Sequence, residues 1–156
     1  MAARYTLTPR VDLAVFHAAD AARYRGTGGE HMLQAVDVET FTAFYADRPS
    51  CGFACDGVPI GGILFDGSQA HIAVLPQHHG RWAFLFEPAL DWLFSCQPEM
   101  TVEIERDNLP ALRFLQRYGW HPAPTPDGTD TTDTTTDTSV VRFHIAQATR
   151  RQLSKR

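Results

Sequence analysis

Apolar positions recur at two different periods along this chain, and the changes of period divide it into elements. An Ala-rich stretch from Val11 to Tyr24 fits a helix, and Arg25-Gly26-Thr27-Gly28-Gly29 breaks it. Asp37 is placed to cap a short helix in which Phe41, Phe44 and Tyr45 fall at helical spacing, with Pro49 marking its end. From Cys51 the pattern becomes one of strands and tight turns. Residues 51–55, 58–65 and 69–75 read as strands separated by Asp56-Gly57 and Asp66-Gly67, which makes an antiparallel meander. The pair Gly61-Gly62 inside the second strand predicts a bulge or the close approach of another backbone.

After Pro76 the helical period returns, in Trp82, Leu85, Phe86, Ala89, Leu90 and Leu93. Pro88 falls inside this run, where it removes a backbone bond at a cost of about 3 kcal/mol. The run is therefore expected to be a helix kinked at Pro88; the other arrangement is an extended 82–86 with a helix that starts near Glu87. Residues 100–104 read as a strand, Asn108 caps a further helix with Pro110 in its first turn, and residues 140–146 form a last strand. Strand, helix, strand is a right-handed crossover unit. A meander that ends in such a βαβ crossover gives an α/β fold with a mixed sheet, whose switch from antiparallel to parallel falls at the third strand. Ligands of open sheets gather at such switch points, beyond the carboxyl ends of the strands.

Length changes this picture little: 156 residues make one domain. The segment 122–139 carries Asp127, Asp130, Asp133 and Asp137 among Thr and Pro, with Ala123 its only apolar residue, and is expected to be a mobile loop. A formal net charge of −4 argues against a nucleic-acid surface. No apolar run reaches the roughly 20 residues that span a bilayer, and the start Met1-Ala2-Ala3-Arg4-Tyr5 lacks the apolar stretch of a secretory signal, so a cytoplasmic protein is expected. Cys51, Cys55 and Cys96 are odd in number and lack zinc-knuckle spacing, which predicts reduced, buried thiols.

Three short runs carry the chemistry: Val74-Leu75-Pro76-Gln77-His78-His79-Gly80-Arg81, then Asn108-Leu109-Pro110-Ala111, then Tyr118-Gly119-Trp120. Together they resemble the acyl-CoA core of the GCN5-related N-acetyltransferases (GNAT), over about Cys51 to His121. The resemblance implies a GNAT-like acyl-CoA N-acyltransferase fold, acetyl-CoA as co-substrate, and transfer of its acetyl group to a primary amine by direct attack. It implies that the backbone of Ile72, Ala73 and Val74 pairs with the pantetheine arm. His79, Gly80, Arg81, Trp82 and Ala83 then form the pyrophosphate loop that opens a helix, and Asn108 completes the cofactor-binding set. Trp82 replaces a glycine of the family, and Phe84 a second small residue. Leu115 stands where many relatives carry a tyrosine that protonates the leaving thiolate, and Tyr118 occupies a packing position.

For the general base the residues leave three candidates. Glu103 and Glu105 share one face of their strand, a pair of carboxylates suited to taking a proton near neutral pH; His71 is the third. His71, His78 and His79 lack the carboxylate or cysteine that would complete a metal set, so no metal is expected. The expected partners are acetyl-CoA and an amine, with no nucleic acid and no membrane, in a monomer or homodimer. The competing expectation is an inactive module that keeps the fold for CoA binding or protein interaction.

Overall fold

The computed structural model of the protein describes residues 2–24, 37–123 and 140–151. The Arg25–Gly29 break, most of the 122–139 segment and the end of the chain lie outside the described residues. Contacts group the chain into two compact units, one up to Cys96 and one from Gln97 onward.

The first unit contains β1 (Tyr5–Thr8), α1 (Leu13–Tyr24), α2 (Val38–Tyr45), β2 (Ser50–Cys55), β3 (Val58–Phe65), β4 (Ala70–Val74) and α3 (Phe86–Cys96). Its sheet has the order β1-β2-β3-β4, antiparallel throughout. The expected meander is β2-β3-β4. Asp56 (φ 50°) and Gly57 (φ 82°) both take the left-handed conformation that a two-residue hairpin turn needs. The unforeseen strand β1 adds to the far side of β2, with Tyr5 opposite Cys55 and Thr8 opposite Gly52. It is tied to the same turn, because the Arg4 amide donates to Asp56 Oδ1 and the Asp56 amide to the Arg4 carbonyl.

The expected bulge is present. Phe53 pairs with Gly61 but Ala54 with Pro59, which leaves Ile60 as the extra residue. Gly61 (φ 144°) approaches β4 so closely that a Cβ would stand 2.0 Å from the Ala73 carbonyl oxygen. Asp37 caps α2 as expected, accepting from the Thr40 amide at 2.7 Å, and Asp12 does the same for α1 through Val15 at 3.0 Å. The core on this side joins Val11, Phe16 and Ala19 to Leu64 and Ala73, with Leu13, Phe41, Tyr45 and Leu75 packed around them.

The expected kinked helix is corrected. Residues Ala83–Leu85 form a separate 3-10 turn and α3 starts at Phe86. Pro88 is the third residue of α3, where an N–H has no intrahelical acceptor to lose, so the proline initiates the helix and does not bend it. Buried Phe86, Ala89, Leu90 and Leu93 form its inner face.

The second unit holds β5 (Glu99–Glu105), α4 (Leu109–Arg117) and β6 (Val140–Ala146). β5 pairs with β6 along its whole length, from Glu99↔Ala146 to Glu105↔Val140, in antiparallel register. Inward-facing Met100, Val102, Phe143 and Ile145 are buried, as are Leu115, Tyr118 and Trp120. The α/β architecture stands, but no parallel ladder occurs among the described strands, where a mixed sheet was expected. Succession along the chain does not set pairing: β5 follows β4 in the sequence but finds its partner in β6. The start of the 122–139 loop is also corrected, since Pro122 bridges to Phe143 and the Ala123 amide donates to the Arg142 carbonyl.

All three cysteines are free thiols, but only Cys51 is buried, and burial pushes its thiol up to about 11; Cys55 is half-buried and Cys96 exposed. Among the described residues no helix is long and apolar enough to cross a membrane.

Candidate active site

β4 is an edge strand of its sheet, and what its free edge presents follows from one hydrogen bond. The Leu75 amide donates to the Ile60 carbonyl of β3 at 2.8 Å. Backbone groups of an antiparallel strand alternate between its two sides, so those of Ala73 and His71 also face β3, opposite Gly62 and Leu64. Ile72 and Val74 therefore turn their N–H and C=O to the open edge. Of the three strand residues expected to hold a pantetheine arm, two present backbone groups there and Ala73 does not. One of the exposed acceptors is already used: His79 Nε2 donates to the Val74 carbonyl at 2.7 Å.

Beyond Pro76 the chain turns tightly. The amides of His78, His79 and Arg81 bond back to Leu75, Pro76 and His78, and that of Leu85 to Trp82. Gly80 (φ 79°) supplies the left-handed residue the turn requires. Among the described residues, the amides of Gly80, Trp82 and Ala83 donate to no backbone carbonyl. Three N–H groups just ahead of a helix are a cradle for an anion. Trp82, where the family has glycine, does not obstruct it from the inner side, because its indole stacks on buried Phe53 at 5.2 Å between ring centroids. Arg81 is exposed beside the cradle.

Sequence reasoning missed Tyr5, which reaches this turn from β1. Its hydroxyl lies 3.1 Å from His78 Nδ1, and its ring meets both His78 and Phe84 edge-on. Partial burial and the neighbouring Cys55 push the phenol upward, and Arg81 opposes them. No local signal marks Tyr5, since its position comes from the register of β1 on β2.

The remaining candidates are placed as follows. His71 stands near the start of β4, with Nε2 3.1 Å from Asp66 Oδ2. Desolvation raises the Asp66 carboxyl, but the amides of Gln69 and Ser68 and the His71 ring outweigh it and hold the group well below the ordinary carboxylate range. In the second unit, Glu103 and Glu105 lie on one face of β5. Glu103 Oε1 accepts from the Arg142 guanidinium at 2.7 Å, and in the ladder the backbone of Glu105 pairs with Val140. Asn108 caps α4 by accepting from the Ala111 amide at 3.4 Å. Leu115 is buried, and Tyr118 is buried between Phe114 and Trp120 in a packing role. Among the described residues no cluster of three or more His, Cys, Asp or Glu could hold a metal ion.

No protein-family model and no curated protein matches the chain by sequence. Solved structures do match. YncA of Salmonella typhimurium, solved with its cofactor acetyl-CoA, superposes with a TM-score of 0.67 at 16% identity, over 100% of this chain and 99% of that one. An N-acetyltransferase of Staphylococcus aureus gives a TM-score of 0.65 at 13% identity, over 94% and 99%. The PaiA N-acetyltransferase of Thermoplasma acidophilum, in complex with coenzyme A, gives 0.63 at 14%, over 92% and 99%. The fold is that of the GNAT acetyltransferases.

Proposed function

We infer that the chain is an acetyl-CoA-dependent N-acetyltransferase of the GNAT superfamily that acts on a primary amine. The observation that carries this is the junction of β4 and α3. An open strand edge offering groups of Ile72 and Val74 leads into a turn whose Gly80, Trp82 and Ala83 amides donate to no backbone carbonyl among the described residues. An extended amide chain pairs with the edge as an added strand would, and a pyrophosphate suits the cradle beside Arg81. Acetyl-CoA supplies the activated acyl group. The protein holds the arm, orients the thioester and takes the proton that the attacking ammonium must lose. Glu105, Glu103 and His71 are the candidates for that proton.

Thermal stabilisation by acetyl-CoA, followed by release of free CoA with a panel of amines, tests the assignment. Arg81→Glu should weaken CoA binding by about tenfold, the scale of one charge-assisted contact; titration calorimetry giving an unchanged affinity would remove the cradle from the site. The chain is taken to act as one cytoplasmic domain, for which a single cooperative unfolding transition of the purified protein is the check on the domain count.

A second proposal is a module that binds CoA without turning it over. It is favoured by buried Leu115 at the position of the family's tyrosine and by the capture of Glu103 by Arg142. Stabilisation by acetyl-CoA with no CoA release across the amine panel would select it.

A further inference from the structure

The 3-10 turn Ala83–Leu85 sorts its side chains sharply. Leu85 is buried at 5% exposure and Phe84 stands out at 61%. A single exposed phenylalanine is unremarkable in a folded protein, so the position of this one has to carry the weight. Phe84 follows directly on the Trp82 and Ala83 amides of the anion cradle, and exposed Arg81 lies three residues before it. Its ring is also supported from behind. Tyr5 meets it edge-on, with centroids 5.9 Å apart and planes at 84°, and Tyr5 is fixed in turn by its hydroxyl contact with His78 Nδ1. An edge-on neighbour supports one side of a ring and leaves a face open for a planar partner.

Resting on the acetyl-CoA assignment above, we propose that Phe84, braced by Tyr5, is the stacking platform for the adenine ring of CoA. A pyrophosphate in the cradle is joined through one ribose to its base, which brings the base within reach of the next exposed ring along the turn. The departure from the family's small residue at this position thus becomes a contact to the nucleotide. Stacking reads the π-face of a base and needs no hydrogen-bond partner on its edge, which agrees with the apolar character of Phe84 and Tyr5. The contact adds affinity for the nucleotide half of CoA and leaves the thioester chemistry untouched.

The test compares two ligands, CoA and S-acetyl-pantetheine, which lacks the phosphates and the adenosine, on the intact protein and on Phe84→Ala and Phe84→Trp. Phe84→Ala is expected to bind CoA about tenfold more weakly, the scale of one base–aromatic stack. It should bind S-acetyl-pantetheine as the parent does, and Phe84→Trp should restore CoA affinity. Because Phe84 is exposed, all variants should melt with the parent. If Phe84→Ala binds CoA with parental affinity, the platform is wrong while the acetyl-CoA assignment survives. Equal losses for both ligands would mean a distorted loop and would overturn the platform too. A parent protein that binds neither ligand would overturn the assignment and the platform together.

Discussion

Glu103 and Glu105 share one face of β5, where Glu103 is held by Arg142 at 2.7 Å, and His71 is held by Asp66 at 3.1 Å on β4. If one of the two glutamates takes the proton of the attacking ammonium, its change to Gln is expected to lower turnover by about 100-fold with CoA affinity unchanged, the signature of a lost proton acceptor. Steady-state rates beside calorimetric affinities decide it; if Glu105→Gln and Glu103→Gln both turn over normally, alone and combined, the base is elsewhere and His71 is tested next. Asp66 allows a second prediction at this scale. Its folded carboxyl is held below its unfolded value near 4. Its stabilising contribution is complete above that unfolded value and is lost as the pH falls through it toward the folded one. Asp66→Asn should thus be less stable than the parent by about 1 kcal/mol at pH 7, and the gap should narrow steadily as the pH falls below about 4. Urea midpoints followed from neutral pH into acid read it, and a gap that stayed constant across that range would mean that Asp66 contributes through shape and not charge.

At the scale of elements, a strand or helix was legible wherever its own residues carried the pattern. The Asp37 cap, the Asp56-Gly57 turn and the β3 glycines each act within a few residues, and each appears where the sequence placed it. β1 was not legible because four residues, Tyr5 to Thr8, are too few to display a period and owe their place to β2. The start of α3 was misplaced because Trp82 and Leu85 fall at helical spacing while belonging to a turn, and Pro88 was the more truthful marker. At the candidate site, the cradle was legible as a local motif, but the alternation that turns Ala73 inward depends on the register with β3, and the arrival of Tyr5 depends on β1. The β3 glycines give the sharpest test at this scale. Gly61→Ala places a Cβ 2.0 Å from the Ala73 oxygen at a φ of 144°, so β4 must move or the bulge must open. A loss of more than about 1 kcal/mol is expected, together with weaker CoA binding, since Ile72 and Val74 move with the strand. A parental Tm would mean that the bulge yields without cost.

For the whole molecule the question is how much of the chain the fold needs. From Pro124 to Ser139 the sequence holds only Pro, Thr, Asp, Gly and Ser, so it can contribute almost nothing to an apolar core. Its flanks are well placed. Pro122 bridges antiparallel to Phe143, and the Ala123 amide bonds to Arg142, so the two chain directions already approach as the arms of a hairpin. Closing a loop costs only about 0.6 kcal/mol more for each doubling of its length, which makes the long connection inexpensive to keep and equally inexpensive to shorten. Replacing residues 125–138 by a two-residue Asn-Gly turn, with Pro122 and Ala123 retained, should leave the Tm within about 5 °C of the parent. CoA binding should be unchanged, because every residue assigned to the cradle and the strand edge precedes Ala123. Removing Pro122 and Ala123 as well should cost more, since it breaks the pairing with β6. A large fall in Tm for the first variant would mean that the Thr/Asp segment packs against the fold, and a loss of CoA affinity at parental Tm would place it in the ligand site.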